Sequence, residues 1–478
     1  MLDRNQLSSI GFSWVTENTE VLTPYGAELI RRPHYYSAEE TELLEREQKN
    51  VRALCSALLE RPEEMNVLMR LLMPIKDIRR SIGALAERTL SEVELFEVKR
   101  FLMELELIAP QLAKTGAELA GLEITALPRA LGILDPDSAG SPSFYVSDRL
   151  SPKLAGIRAA RRRVDDEIKR TGGSEELRIE RTRLAAEEEE ENALVRAQMC
   201  EKLRAWRESM QLNAEHIGRL DLAVAKARLM LKTGAAMPKV GGEGFALRGM
   251  YNPRFAESLS EKGRSFVPVS LKLMKGSVVI TGANMGGKSV AIKTLALNVQ
   301  LAMCGFPVFA EEAELPFVED IYLLSEDRED TESGLSSFGG EMKAFDDMLK
   351  NTAKSRNVLV LLDEFARGTN PNEGAALVAA AAKLFNKREN VYAVIATHFD
   401  GVAKLARLHY QVAGLRNADQ ERLRLEMKNG SPDTLAKYMD YGLYPVSPSE
   451  EPPRDAVTII KALGVSGEFT ELIDIIND

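Results

Sequence analysis

The sequence predicts an α/β domain in its second half preceded by an all-α region, and three observations carry that reading. The run Ser277-Val278-Val279-Ile280-Thr281 is β-branched and apolar enough for a buried strand, and it leads straight into Gly282-Ala283-Asn284-Met285-Gly286-Gly287-Lys288-Ser289. Apolar residues then recur at helical spacing from 290 to about 303. Two more strand-like runs, 358–362 and 391–396, end in Asp363-Glu364 and Thr397-His398. Polar residues delivered at the C-terminal ends of several strands mark where an open α/β sheet binds its ligand.

The order strand, glycine-rich loop, Gly-Lys-Ser, helix is the one a phosphate-binding loop requires. Glycines let successive backbone N–H groups surround an anionic phosphate, and the helix N-terminus adds partial positive charge at the same point. In such a loop Lys288 reaches the β- and γ-phosphates of a nucleotide, and the Ser289 hydroxyl sits on Mg2+. Asp363, at the tip of a buried strand, is the candidate for supporting Mg2+ through its bound water. Glu364 beside it is the candidate for polarising an attacking water. The alternative, a glycine turn between a strand and a helix, is weakened by the agreement of both flanking elements.

Taken in order, 478 residues exceed one ordinary core, so two or three domains are expected. Residues 1–150 read as a helical core and connector: a cap with one helix at 25–32, then helical spacing at 39–59, 64–75 and 91–108. The last of these is expected to stop short of Pro110. Residues 127–145, richer in Pro, Gly and Ser, read as a loop-bearing connector. Residues 151–240 read as a long helical hairpin. One helix starts at Ser151-Pro152 and runs to Arg170, Thr171-Gly172-Gly173-Ser174 breaks it, and a second continues to about Lys232. The hairpin carries Arg158, Arg161, Arg162 and Arg163, which read either as a DNA contact or as a solvated face balanced by Asp165, Asp166 and Glu167. Gly241-Gly242-Glu243-Gly244 marks the boundary to the α/β domain, 241–478.

With 62 basic against 72 acidic residues and a net charge of −10, the whole surface is no nucleic-acid glove, although a local basic stripe is compatible with that balance. Cys55, Cys200 and Cys304 have neither metal nor disulfide spacing and read as buried thiols in a reducing compartment. Met1-Leu2-Asp3-Arg4 is no basic-then-apolar leader, and no apolar run approaches ~18 residues. No membrane partner is therefore expected, and the default compartment is cytoplasmic.

The segment from Thr281 to Ser289 resembles the MutS superfamily's version of the phosphate loop, in which Asn-Met-Gly-Gly-Lys-Ser is the distinctive part. Three further blocks are similar to that family in the same order. Ser333-Gly334-Leu335-Ser336-Ser337-Phe338-Gly339-Gly340-Glu341-Met342 resembles its signature loop, and Asp363-Glu364-Phe365-Ala366-Arg367-Gly368-Thr369-Asn370 its Asp-Glu-x-x-Arg-Gly-Thr block. Ala396-Thr397-His398-Phe399 resembles its Ala-Thr-His switch, and the tail at 456–476 is similar to the helical end of the domain.

The resemblance implies an α/β ABC-type P-loop ATPase domain preceded by an all-α core and lever region. It implies a homodimer or MutS-like heterodimer, with ATP and Mg2+ held between subunits. On that model Gly282, Asn284, Met285, Gly286, Gly287, Lys288 and Ser289 bind phosphate, Ser289 and Asp363 serve Mg2+, and Glu364 activates water. His398 would sense the γ-phosphate, and Ser336 would approach it from the opposite subunit. Phe266, in Ser265-Phe266-Val267-Pro268, matches the family position that stacks on adenine, with a packed core phenylalanine as the competing reading.

The run from Leu220 to Arg228 resembles the end of the core helix in the anti-recombination MutS paralogues, and Ser151-Pro152-Lys153-Leu154 the start of their lever helix. In that family a β-rich clamp sits between the two long helices, whereas here only Thr171-Gly172-Gly173-Ser174 joins them. Neither a mismatch-reading domain nor an Smr nuclease domain is expected in this sequence. The implied function is an ATP-hydrolysing dimeric switch on mismatched or branched DNA in repair or recombination. Some short MutS-like proteins are associated with adenosylcobalamin-dependent aminomutases as ATP-driven reactivation factors, so a protein partner of that kind stands beside DNA as the alternative.

Overall fold

Gly276–Thr281, Val358–Asp363 and Val391–Ala396 are strands buried at every position, the pattern of parallel strands covered on both faces. They belong to a computed structural model that describes residues 2–137, 146–282, 286–325, 337–415 and scattered positions from 418 to 472. In chain order its named strands are β1 (Lys239–Val240), β2 (Phe245–Met250), β3 (Val269–Leu273), β4 (Gly276–Thr281), β5 (Glu312–Leu315), β6 (Asp320–Leu324), β7 (Val358–Asp363), β8 (Val391–Ala396), β9 (Leu408–Gly414) and β10 (Asp440–Val446). They form a four-stranded sheet of order β1-β5-β2-β3 and a six-stranded sheet of order β10-β9-β4-β8-β7-β6. In the larger sheet neighbours run parallel except β10, which pairs antiparallel with β9 at one edge.

Both faces of this sheet are covered. Val279, Val360, Leu362, Ala393 and Ile395 share one apolar cluster with Met348, Phe365, Val378 and Phe385, supplied by the helices Ser337–Thr352 and Pro371–Asn386 and the turn after β7. The helix Lys288–Met303 follows β4 and is buried around almost its whole circumference, so its apolar residues show little one-sidedness. These elements lie in a unit made of Met1–Thr19, His34–Gln48 and Leu229–Asp478. The N-terminal segment joins it through two short helices, Arg4–Ser9 and Phe12–Asn18. Gln6 Nε2 donates to the Leu323 carbonyl at 2.8 Å, and Asn252 Nδ2 donates to the Ile10 carbonyl at 2.8 Å. The sequence reading has no helix here, because only Phe12 and Val15 of the second are buried, too few for a periodic signal.

The other unit, Glu20–Pro33 and Lys49–Arg228, contains helices and no strand among its described residues. Asp221, 1% exposed, is its internal anchor: its carboxylate accepts from the backbone N–H of Leu22 and Thr23 and from the Thr23 hydroxyl. Thr23 in turn caps the helix Pro24–Arg31. Burial pushes the Asp221 carboxyl above its ordinary range, against the pull of those donors.

Three expectations about helices are corrected. The helix expected to stop at 108 runs through Pro110 as Glu92–Lys114. Proline removes one backbone bond there, but the turns around it bury Leu105, Ile108 and Gln111, and Gln111 Nε2 donates to the Glu64 carbonyl at 2.9 Å. The connector at 127–145 contains a helix, Pro128–Leu134. The second hairpin helix is two, Glu175–Arg204 and Arg207–Thr233, separated at Ala205-Trp206 where Trp206 N–H bonds back to Leu203 instead of one residue further.

The first hairpin helix, Pro152–Thr171, is capped by the Ser151 side chain and ends at Gly172 in the left-handed region. Its arginines are neutralised mainly from outside their own helix. Arg158 pairs with Asp148 at 2.6 Å and Glu188 at 2.9 Å, Arg161 with Glu188, and Arg162 with Asp148 at 3.4 Å. Of the three acids expected to balance them, Asp165 reaches Arg161 at 3.9 Å; the rest comes from Asp148, before this helix, and from Glu188 on the facing helix. Among the described residues no helix is long and apolar enough to cross a membrane. The tail at 456–476 falls almost wholly outside the described residues.

Candidate functional site

Sheet register brings the ends of three strands together. Asp363 of β7 lies opposite Ala396 of β8, and Ile280 of β4 also lies opposite Ala396. Thr397 N–H donates to the Ile280 carbonyl at 3.0 Å, and Glu364 N–H to the Ala396 carbonyl at 3.1 Å. The strand tips are thus tied side by side where the chain leaves each of them.

After β4 the chain passes Gly282 at φ 145, where a β-carbon would stand 3.0 Å from Val412 Cβ of β9. Gly287, at φ 92, forms the N-cap of Lys288–Met303 with no side-chain cap, leaving first-turn N–H groups for a ligand. Lys288 is 3% exposed. Its Nζ donates to the Gly282 carbonyl at 2.8 Å and stands 3.7 Å from Glu364 Oε1. Burial pushes the ammonium's pKa down, and the Glu364 carboxylate opposes that shift. Ser289 Oγ donates to Asp363 Oδ1 at 2.9 Å. Burial pushes the Asp363 carboxyl up while the Ser289 hydrogen bond pulls the other way.

Glu364 and Ala366 are non-glycine residues in the left-handed region, at φ 54 and 62, a conformation that costs on the order of ~1–3 kcal/mol each. Glu364 Oε2 also accepts from Arg367 Nη1 at 2.9 Å, so its carboxylate is held between two cations. Beside this group opens a cavity of about 620 Å³, lined by Gly286, Gly287, Lys288, Ser289 and Glu364 and by Phe266, Val267, Met439 and Tyr441. Phe266 is half-buried, its ring edge-on to Tyr251 at 6.5 Å, and it contributes to the cavity wall. One wall is therefore cationic and rich in backbone donors, the other apolar and aromatic, the division a nucleotide presents between its phosphates and its base.

Ser289 and Asp363 together offer a hydroxyl and a carboxylate, hard oxygen donors of the kind Mg2+ takes when phosphate and water complete its shell. Among the described residues no group of three or more His, Cys, Asp or Glu could hold a metal. His398 is exposed just beyond β8, its ring 4.6 Å from that of Phe399, and it is not among the described residues lining the cavity. Asn284, Met285 and Ser336 lie outside the described residues.

Residues 278–454 match the family model described as MutS domain V. This part of the chain is thus similar to the domain V of MutS-superfamily proteins. Over 219 residues it is 34% identical to the DNA mismatch repair protein MutS of Thermus thermophilus, covering 46% of this chain and 25% of that protein. It is 29% identical over 249 residues to the endonuclease MutS2 of Caldanaerobacter subterraneus, covering 52% and 30%. With the endonuclease MutS2 of Thermus thermophilus the identity is 33% over 248 residues, 50% and 30% of the two chains. The chain thus spans 25–30% of the length of these relatives.

The MutS-type domain also holds site residues that sequence reading passes over. Tyr441 packs against Gly287, where a β-carbon would stand 3.3 Å from its ring. It reaches the loop only because β10 turns back along β9; the aromatic spacing Tyr438, Tyr441, Tyr444 was the available signal. His409 is buried at 1% exposure, within 2.7 Å of Thr281 Oγ1 and 3.0 Å of the Ser447 carbonyl. It braces the strand that carries the loop.

Proposed function

We propose that this MutS-like chain is an ABC-type P-loop ATPase whose turnover drives a dimeric switch on mismatched or branched DNA. The observation that carries the ATPase reading is the pairing of Lys288 with Glu364 and of Ser289 with Asp363 at one end of a cavity whose other wall holds Phe266 and Tyr441. When ATP enters, the loop at 282–289 meets its phosphates with backbone N–H groups, Asn284 and Met285 included. Lys288 exchanges the Gly282 carbonyl and Glu364 for phosphate oxygens, which satisfy a buried cation better than a single carbonyl. Glu364, released from Lys288 and kept near Arg367, takes a hydrogen bond from the attacking water and orients it. Bound Mg2+, held by Ser289 and supported by Asp363, would neutralise charge on the phosphate oxygens. Phe266 and Tyr441 would receive the base.

His398 would sense the γ-phosphate from the end of β8, and Ser336 would complete the site from a second subunit, a homodimer or a MutS-like heterodimer. The DNA mismatch-repair role rests on the names of the relatives; recombination and a cytoplasmic setting are carried over from the sequence reading. A specific observation favours a second reading. Arg158 and Arg161 of the hairpin are already paired with Asp148 and Glu188, which leaves less free positive charge for DNA phosphates. That suits a lever acting on a protein partner, such as an adenosylcobalamin-dependent aminomutase awaiting reactivation.

Steady-state ATPase rates against duplex, mismatched and four-way-junction DNA, at low and moderate salt with Glu364→Gln as blank, decide between the two. Salt-sensitive stimulation that prefers one DNA structure supports the switch on DNA. ATP turnover indifferent to every DNA would overturn it in favour of the protein partner.

A further inference from the structure

We propose that Glu341 is a positioning residue: its carboxylate holds the strained turn that presents Glu364, so the helix Ser337–Thr352 governs the placement of the water-activating group. The inference deepens the ATPase reading above and rests on it. Glu341 lies in the first turns of the helix Ser337–Thr352, and its Oε1 accepts from the backbone N–H of Ala366 at 3.2 Å. Ala366 is 0% exposed and sits at φ 62, two residues after Glu364 at φ 54. A buried N–H needs an acceptor, and a side chain that reaches in from another element holds an otherwise disfavoured backbone conformation.

The same helix grips the turn a second time. Phe345, one helical turn after Glu341, lies 4.6 Å from Phe365 between ring centroids, and Phe365 is 2% exposed. Residues 364–366 are therefore held from one side by β8, through the Glu364 N–H and the Ala396 carbonyl, and from the other by this helix. Gly374 closes the arrangement: a β-carbon there would stand 2.7 Å from the Ala366 carbonyl oxygen. With one side of the turn tied to the sheet, displacement of the helix acts on Ala366 and through it on Glu364. Lys288 and Ser289 are reached by neither contact, so the helix can change the chemical step without changing nucleotide binding.

The test is Glu341→Ala beside Glu341→Gln, whose amide oxygen can still accept the Ala366 N–H. Steady-state phosphate release and equilibrium binding of a fluorescent ATP analogue are measured on each. Glu341→Ala is expected to lower kcat on the order of ~10-fold or more with the dissociation constant within about 2-fold of the parent, and Glu341→Gln to retain most of the rate. Adding Ala366→Gly to Glu341→Ala should recover part of the rate, because glycine accepts positive φ without the carboxylate. A parent-like kcat in Glu341→Ala overturns the inference alone. So does a parallel loss of rate and binding, or a Glu341→Gln as impaired as the alanine variant. A parent protein without ATP turnover overturns the underlying reading, and this inference with it.

Discussion

Lys288 Nζ stands 3.7 Å from Glu364 Oε1, so a buried ammonium and the carboxylate proposed to activate water face each other when no phosphate separates them. Arg367 holds the second oxygen of the same carboxylate at 2.9 Å. On the proposed reading, nucleotide entry and the release of Glu364 are coupled, because phosphate oxygens would compete with Glu364 for the Lys288 ammonium.

That exchange predicts a separation of binding from turnover. Glu364→Gln keeps the shape of the turn and removes the anion that competes for Lys288. It should bind ATP at least as tightly as the parent and persist as a nucleotide-bound dimer, read by light scattering with ATP present. A variant that binds ATP but elutes as a monomer throughout would argue against dimer closure on ATP.

The buried Lys288 also sets a pH dependence. Its folded pKa is depressed by burial, so over a window below about 10.5 the unfolded chain holds a proton that the folded chain has released. Stability of the nucleotide-free protein therefore rises with pH through that window. Lys288→Met should remove this rise and match or exceed the parent near neutral pH, as followed by urea midpoints from pH 7 to pH 10. A variant less stable than the parent by the same amount at every pH would show that the ammonium's pairing outweighs its burial.

What was legible here follows from where each signal is stored. β4, β7 and β8 were readable because buried parallel strands are apolar along their length, and the start of the helix after β4 because the Gly-Lys-Ser run is contiguous in sequence. Tyr441 and Phe266 reach the cavity from distant parts of the chain, and only the pairing of β10 with β9 brings the former home. Glu364 and Ala366 at positive φ left no trace in residue type, since neither is glycine. The helix through Pro110 was misread for the opposite reason: a local rule was clear, and tertiary burial overrode it.

In the helical unit, Gly26 faces Asp221 so closely that a β-carbon would stand 2.3 Å from its Oδ2. Gly26→Ala should cost about 1–3 kcal/mol of stability by forcing that carboxylate aside. Asp221→Ala should cost at least as much, because it strands the N–H groups of Leu22 and Thr23, each worth about 1–3 kcal/mol when left buried without a partner. Thermal melts check both, and wild-type midpoints in either would remove Asp221 as the unit's anchor.

The subunit-sharing proposal has a complementation test. Ser336→Arg should abolish turnover by blocking closure, and Lys288→Ala should abolish it by losing phosphate contact. Mixed together they should regain activity, up to about half of the parent if one intact composite site forms per heterodimer. A mixture that stays inactive while heterodimers are present would place Ser336 outside the shared site.

The most direct test of the account is phosphate release from ATP by the parent protein beside Glu364→Gln and Lys288→Met, each with Mg2+ and with excess chelator. The account predicts turnover by the parent that needs Mg2+, with both variants reduced on the order of ~100-fold or more. Release by the parent no faster than by Glu364→Gln would contradict it.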